Sequence, residues 1–292
     1  MAGGLYYVVA MPGDSYRGPI EFTAGEKELA ARLRAHVEAL AAEQRNVDLE
    51  RPARYIESQF TGFQAQQFKS GGRTVSNIET GTGSVVVGAH YDSVPGSPGA
   101  DDNASGVAVL IELARMGLPA RFIAFANEEM PYFQTNEMGS HAWAARAHRA
   151  GEKISAMLSL EMLGTYREAA GSQQYPPPLS WFYPDRADFI AFVGDVGARA
   201  LVRRAIRVFR ERAQFPSEGV AAPAGIPGVT WSDHWSFRKH DYPAMMVTDT
   251  AFYRYPHYHL PSDTPEKLDY LRMARVTLGL AAVIKDLAHE NR

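Results

Sequence analysis

A chain of 292 residues, 46% apolar and 22% charged, has the balance of a folded globular protein rather than a disordered or fibrous one. A formal charge of -3, with no dense Lys/Arg tract carrying interleaved aromatics, offers no cationic field for phosphates and excludes nucleic acid as an expected partner. With no cysteine, disulfides and thiolate ligands are ruled out, so any metal site must be built from His, Asp and Glu.

The apolar run at residues 5–11 is short, lacks a basic lead-in and is followed by Gly13, Asp14 and Arg17 rather than a cleavage region. It does not read as a signal peptide, and the compartment stays open between the cytoplasm and a signal-trimmed secreted or periplasmic form. No apolar stretch reaches the roughly 20 residues that cross a bilayer, so no membrane span is expected.

Residues 26–41 place Leu29, Leu33, Val37 and Leu40 at helical spacing, which predicts an amphipathic helix with His36 on its solvated face. A second helix follows Pro52, and residues 63–68 and 74–79 alternate as strands do. At residues 84–91, Val85, Val86 and Val87 precede small residues, the pattern of a strand buried on both faces. Past the Gly/Pro-rich loop at 95–99, Asn103 caps a helix running through Val107, Leu110, Ile111 and Ala114. Residues 122–126 form a short buried strand, 140–149 a helix, 154–160 a strand, and 187–211 a long helix interrupted near Gly194 and Gly197. A last strand covers 243–248, and Val276, Leu280, Val283 and Leu287 mark a closing helix. Strands alternating with helices predict an α/β fold: a three-layer α/β/α sandwich around a largely parallel, mixed central sheet, in one domain over residues 1–292. The prolines at 176–178 read as a surface turn.

Acidic and imidazole groups follow these strands: His90 and Asp92, Asp101 and Asp102, Glu128 and Glu129, Glu161, and His259 in a later loop. In open α/β sheets ligands bind beyond the carboxyl ends of the strands, so these segments can form one site. His90 and Asp92, two apart, can face the same side with the carboxylate orienting the imidazole. Asp102 at a helix start can bridge two cations, whereas Asp101 reads either as part of that site or as a simple cap. Adjacent carboxylates at a buried strand end are costly unless metals or protons compensate them. One of Glu128 and Glu129 can then hold metal while its neighbour carries a proton, the division of labour that metal-assisted hydrolysis needs.

The ordered segments GAHYDS, GADDNASGVA, FANEE, SLEMLG, WSDHWSF and YHLPSDT, within residues 88–264, resemble the zinc aminopeptidases of metallopeptidase family twenty-eight, those similar to bacterial leucyl aminopeptidases. The resemblance implies a zinc-exopeptidase fold and two zinc ions held by His90, Asp102, Glu129, Glu161 and His259, with Asp102 between them. It implies Glu128 as general base and acid, Asp92 as the orienter of His90, a peptide substrate with a free N-terminus, and a non-proline cis bond between Asp101 and Asp102. Asp233 and His234 match a motif near the pocket. Two departures stand out: residues 131–137 insert an aromatic-containing stretch before Gly139 and Ser140, and no tyrosine precedes Ser232 to stabilise an oxyanion, leaving Tyr253, Tyr255 or His234 as substitutes. His257 shares strand parity with His259 and is the other histidine that can reach inward. Trp231, Trp235, Phe252, Tyr253 and Tyr255 flank the site segments and predict a pocket for a large apolar or aromatic side chain. The rival functions are a glutaminyl-peptide cyclotransferase with one zinc, a carboxypeptidase of the wider fold group, and a noncatalytic binding module on the same scaffold. A serine hydrolase fits poorly, since neither Ser105 nor Ser140 lies in a Gly-x-Ser-x-Gly elbow.

Overall fold

The computed structural model describes residues 2–46 and 48–289. Helix α1 (Ala2–Val9) precedes α2 (Ala24–Leu40) and α3 (Glu50–Gln59). A hairpin of β1 (Gln64–Ser70) and β2 (Arg73–Gly81) leads to β3 (Val85–His90), α4 (Gly106–Arg115), β4 (Arg121–Phe125), α5 (Gly139–Arg149) and β5 (Ala156–Glu161). Then come β6 (Ile190–Asp195), α6 (Arg199–Arg212), β7 (Ser217–Ala222), α7 (His234–Arg238), β8 (Ala244–Thr248) and α8 (Tyr270–His289).

The strands form one mixed sheet in the order β1-β2-β4-β3-β5-β8-β6-β7. Its centre is parallel, β4 with β3, β3 with β5 and β5 with β8, while β2 joins β4 and β6 joins β8 in antiparallel pairs. Helices α2, α4, α6 and α8 pack on one another over one face, and α5 with α7 covers the other, giving three layers. Leu33, Val37, Leu110, Val276 and Val283 belong to the larger core, and Phe125, Trp143, Met157 and Phe237 to the core on the opposite side. Because both faces are covered, every residue of β3, β5 and β8 is buried. No helix among the described residues is long and apolar enough to cross a membrane.

Two expectations are corrected, and one strand is added. The long helix at 187–211 is a strand, β6, followed by a helix that starts only at Arg199, because a short apolar run carries no period that separates the two. Strand β7, beside it at the sheet edge, was not anticipated at all. His36 is buried rather than solvated: its ring nitrogens lie 2.7 Å from the Tyr55 hydroxyl and 3.1 Å from Glu112 Oε1, since α2 turns this face onto α4. Helix α2 itself begins at a capping box, the Thr23 hydroxyl accepting from the Glu26 N–H at 3.2 Å while the Glu26 carboxylate accepts from the Thr23 N–H at 2.8 Å.

Candidate metal centre and active site

The parallel register of β4, β3 and β5 brings their carboxyl ends to one edge of the sheet, with His90 paired to Phe125 at the end of β3 and β4, and Glu161 closing β5. From β4 the chain turns at Asn127, in the left-handed region at φ 58°, and delivers Glu128 and Glu129. Asp92 secures that turn: its Oδ1 accepts the Glu128 N–H at 3.0 Å and its Oδ2 the Glu129 N–H at 2.9 Å, while Oδ1 stands 3.5 Å from His90 Nδ1.

Asp102 enters on the loop before α4. Gly99 turns this loop at φ +64°, where a Cβ would lie 2.3 Å from the Asp102 carbonyl oxygen and 2.7 Å from an Arg45 nitrogen. Buried Arg45 fastens the loops from both sides, donating to the carbonyl oxygens of Tyr91, Leu40, Pro98 and Gly99 at 2.6 to 3.1 Å. The Asp263 carboxylate accepts the N–H groups of Asp101 at 2.9 Å and Asp102 at 3.2 Å. Asp101 faces away from the cluster, accepting from Gly164 N–H at 2.8 Å and the Thr165 hydroxyl at 2.5 Å, so it supports the loop and does not cap α4. The Asn103 side chain does accept the Gly106 N–H at 3.1 Å. The non-proline cis bond lies between Asp102 and Asn103, one bond later than expected.

The two Asp102 oxygens face different histidines. Oδ1 lies 3.4 Å from His90 Nε2, and Oδ2 lies 3.0 Å from His259 Nε2. Glu161 Oε1 is 3.4 Å from His90 Nε2, and Glu129 Oε1 is 3.6 Å from His259 Nε2. Donor atoms within 4.8 Å of one another therefore form two triads that share Asp102: His90, Asp102 and Glu161, and Asp102, Glu129 and His259. A third group, His90, Glu128 and Glu129, meets the same limit, so distance alone does not divide the roles of the adjacent glutamates.

All of these side chains except His259 are buried. Burial pushes Glu128 and Glu129 well above the usual carboxylate range. Burial works against the charge on Asp102 too, but the hydrogen bonds from His259 and His90 outweigh it and hold the carboxyl below its ordinary range. For His90, burial is outweighed by the charges of Glu161 and Glu128, and its pKa rises. Glu129 Oε1 is buried with no hydrogen-bond partner among the described residues. Four buried carboxylates converging on two imidazoles, one with an orphaned oxygen, suit cations that bind oxygen and nitrogen; with no sulfur donor, the set fits zinc.

Several residues that the sequence did not single out complete the site. Ser232 donates to Glu161 Oε2 at 2.6 Å and meets Ser159 at 2.7 Å. Tyr258 stacks on the His259 ring with centroids 3.7 Å apart, and burial and the carboxylates of Asp102, Glu129, Glu161 and Glu128 raise its phenol pKa. Of the expected oxyanion partners, Tyr255 spends its hydroxyl on Asp263 at 2.8 Å, and His234 Nε2 faces the Val229 carbonyl at 2.9 Å. Tyr253 borders the neighbouring cavity, 3.3 Å from the Pro227 carbonyl. Asp233 sits near His90 and Glu161, pushed up by burial to about 7. His257 turns to Ser262 at 2.8 Å and not to the triads. The inserted segment reaches back to the β1–β2 turn, where Glu137 accepts from the Ser70 hydroxyl at 3.0 Å and the Gly71 N–H at 2.5 Å.

The profile of peptidase family M28 matches residues 74–284, most of the chain and every residue of the two triads. The chain belongs to peptidase family M28. Within this M28 chain, 264 residues are 41% identical to the uncharacterized protein YfbL of Escherichia coli (strain K12), covering 82% of this chain and 81% of that one. It is 28% identical over 239 residues to a probable leucine aminopeptidase of Arthroderma otae, covering 75% of this chain and 59% of the relative. Among solved structures, the zinc aminopeptidase BSAP of Bacillus subtilis superposes with a TM-score of 0.56 at 26% identity, over 74% of this chain and 50% of that one. The glutaminyl cyclase of Fimbriiglobus ruber gives a TM-score of 0.65 at 19% identity, over 94% and 99%, a likeness of fold. The mixed eight-stranded sheet between helices is thus the fold of zinc aminopeptidases as well as of that cyclase.

Proposed function

We propose that this M28 protein is an aminopeptidase that binds two zinc ions, one at His90, Asp102 and Glu161 and the other at Asp102, Glu129 and His259. The observation that carries this reading is Asp102, whose two oxygens face His90 and His259 at 3.4 and 3.0 Å, as a carboxylate shared by two cations must. Bound zinc would supply Lewis acidity toward the scissile carbonyl and lower the pKa of a water. Glu128, buried in the same cluster and not needed for either triad, takes the proton of the attacking water and returns it to the leaving amine. Asp92 holds the imidazole of His90 and the backbone of both glutamates in place while that transfer occurs. The substrate's free α-amine, a cation, is drawn to the carboxylates around it, which favours cleavage at the N-terminus over cleavage within a chain. A cavity of about 110 Å³ lined by Glu161, Tyr258, Trp231, Phe252, Tyr253 and Met246 receives the N-terminal side chain. Trp235 and Tyr255, also expected there, lie elsewhere: Trp235 packs near His141 and Lys239, and Tyr255 against Asp263.

A one-zinc glutaminyl cyclase is the second reading, favoured by the fold likeness over 94% of the chain. An assay separates the two. Zinc-loaded protein given a leucyl anilide, an N-terminal glutaminyl peptide and an N-blocked dipeptide should release the aniline from the first, and neither ammonia from the second nor an amino acid from the third. Ammonia release without anilide cleavage would replace the aminopeptidase reading with the cyclase.

A further inference from the structure

The cavity beside the metal centre holds a second carboxylate. Glu161 and Tyr258 line it, and so do Glu218 and Tyr183. The sheet register fixes their alignment: Glu161 pairs with Thr248, Thr248 with Ala191, and Ala191 with Glu218. Directly paired residues project from the same face of a sheet, so these four side chains form a single row across β5, β8, β6 and β7. The next row on that face is Ser159, Met246, Val193 and Val220, all paired in turn. Between the two acids stand only Thr248 and Ala191, both small, so the row is a trough, and the larger Met246, Val193 and Val220 form its apolar wall. Three strand spacings set its length at about 14 Å.

Glu218 keeps acceptor capacity. The nearest cation, Arg210, holds Nη2 3.6 Å from Glu218 Oε2, beyond hydrogen-bond range. Four of its five N–H groups go to the carbonyl oxygens of Pro12, Gly13 and Ser217 at 3.0, 2.6 and 2.8 Å and to the Ser217 hydroxyl at 3.3 Å. The Ser15 hydroxyl also reaches the Glu218 carboxylate, and the charges of Arg17 and Asp188 lie near it.

We propose that this trough selects N-terminal residues with a long side chain, apolar along its stem and cationic at its tip, so that lysine and arginine are substrates alongside long apolar residues. The proposal rests on the aminopeptidase reading. An α-amine about 3 Å from the Glu161 end, an extended lysine or arginine side chain of about 6 to 7 Å and a charge-assisted hydrogen bond of about 3 Å to Glu218 together fill the span. Leucine and phenylalanine stop short of the far carboxylate, and a glutamate side chain would meet it as a like charge.

The test is kcat/KM on the 4-nitroanilides of alanine, norleucine, lysine, arginine and glutamate with zinc-loaded wild type, Glu218→Gln and Ala191→Leu. Wild type should take lysine and arginine within tenfold of norleucine, and glutamate at least a hundredfold below. Glu218→Gln should lower the lysine-to-norleucine ratio tenfold or more, through KM. Ala191→Leu, which blocks the trough, should lower both lysine and norleucine relative to alanine, and it tests the path independently should Glu218→Gln fail to fold. An unchanged lysine-to-norleucine ratio in folded Glu218→Gln, or norleucine turnover with lysine a hundredfold weaker in wild type, would overturn the proposal. Failure to cleave any anilide is a separate outcome that removes the aminopeptidase reading and this proposal with it.

Discussion

His90 Nδ1 lies 3.5 Å from Asp92 Oδ1, and the same carboxylate accepts the backbone N–H groups of both Glu128 and Glu129. One side chain thereby sets the orientation of an imidazole at the end of β3 and the position of the carboxylates that follow β4. Asp92→Asn replaces one of its acceptor oxygens with an NH₂ that would face a backbone N–H. Loss of such an orienting partner typically costs 10- to 100-fold in metal affinity or activity. Zinc titration should show weaker binding in Asp92→Asn at an unchanged circular-dichroism spectrum; wild-type zinc affinity and turnover would remove the orienting role.

Ser232 supports Glu161 from below, donating at 2.6 Å to Oε2 and leaving Oε1 toward His90. Ser232→Ala removes that donor and frees the carboxylate to rotate. The expected result is a zinc affinity lower by about tenfold with little change in thermal midpoint. A wild-type zinc affinity in the variant would show that Glu161 is positioned without it.

Away from the site, Glu112 ties α4 to α2, with His36 at 3.1 Å, Arg32 at 2.9 Å and Arg115 at 2.8 Å. Burial opposes its charge, but the bonds from His36 and Arg32 outweigh it and bring the carboxyl down to about 2. A folded-state pKa below the unfolded value means that the stabilisation is present in full above the ordinary carboxylate pKa and is lost as pH falls toward 2. Glu112→Gln should cost roughly 1 to 3 kcal/mol at pH 7, the worth of hydrogen bonds to a charged group. The gap between wild type and variant in denaturant melts should narrow between about pH 5 and pH 2. A gap independent of pH would assign the loss to packing.

The central strands were legible because β3, β4 and β5 are short apolar runs, β3 and β5 ending in His90 and Glu161 and β4 followed within three residues by Glu128, a pattern with few other uses. Strand β6 was misread because Ile190–Asp195 abuts a true helix and its length is too small to display a period. Strand β7, Ser-Glu-Gly-Val-Ala-Ala, carries too few branched residues to announce itself. Within the site, the residues gathered into the two triads were all named in advance, since each sits beside a strand end or in a recognisable segment. Asp92 apart, their supports were not. Arg45, Ser232 and Asp263 act through contacts 40 or more residues distant along the chain, which a single sequence does not display. Tyr258 was within reach, adjacent to His259, yet only the folded loop shows its ring stacked on that histidine.

In the proposed function two adjacent glutamates, both buried and both raised in pKa, would do different work: Glu129 would hold metal and Glu128 would carry the proton. The most direct measurement is zinc content and single-substrate turnover of Glu128→Gln and Glu129→Gln, side by side with wild type. Glu128→Gln should keep its zinc and its fold while kcat falls by roughly 10² to 10⁴, the usual loss when a general acid-base is removed. Glu129→Gln should bind zinc more weakly and lose activity that excess zinc partly restores. If Glu128→Gln turned over at near wild-type rate, or if it emptied the site while Glu129→Gln stayed loaded, the assignment of the two roles would be contradicted.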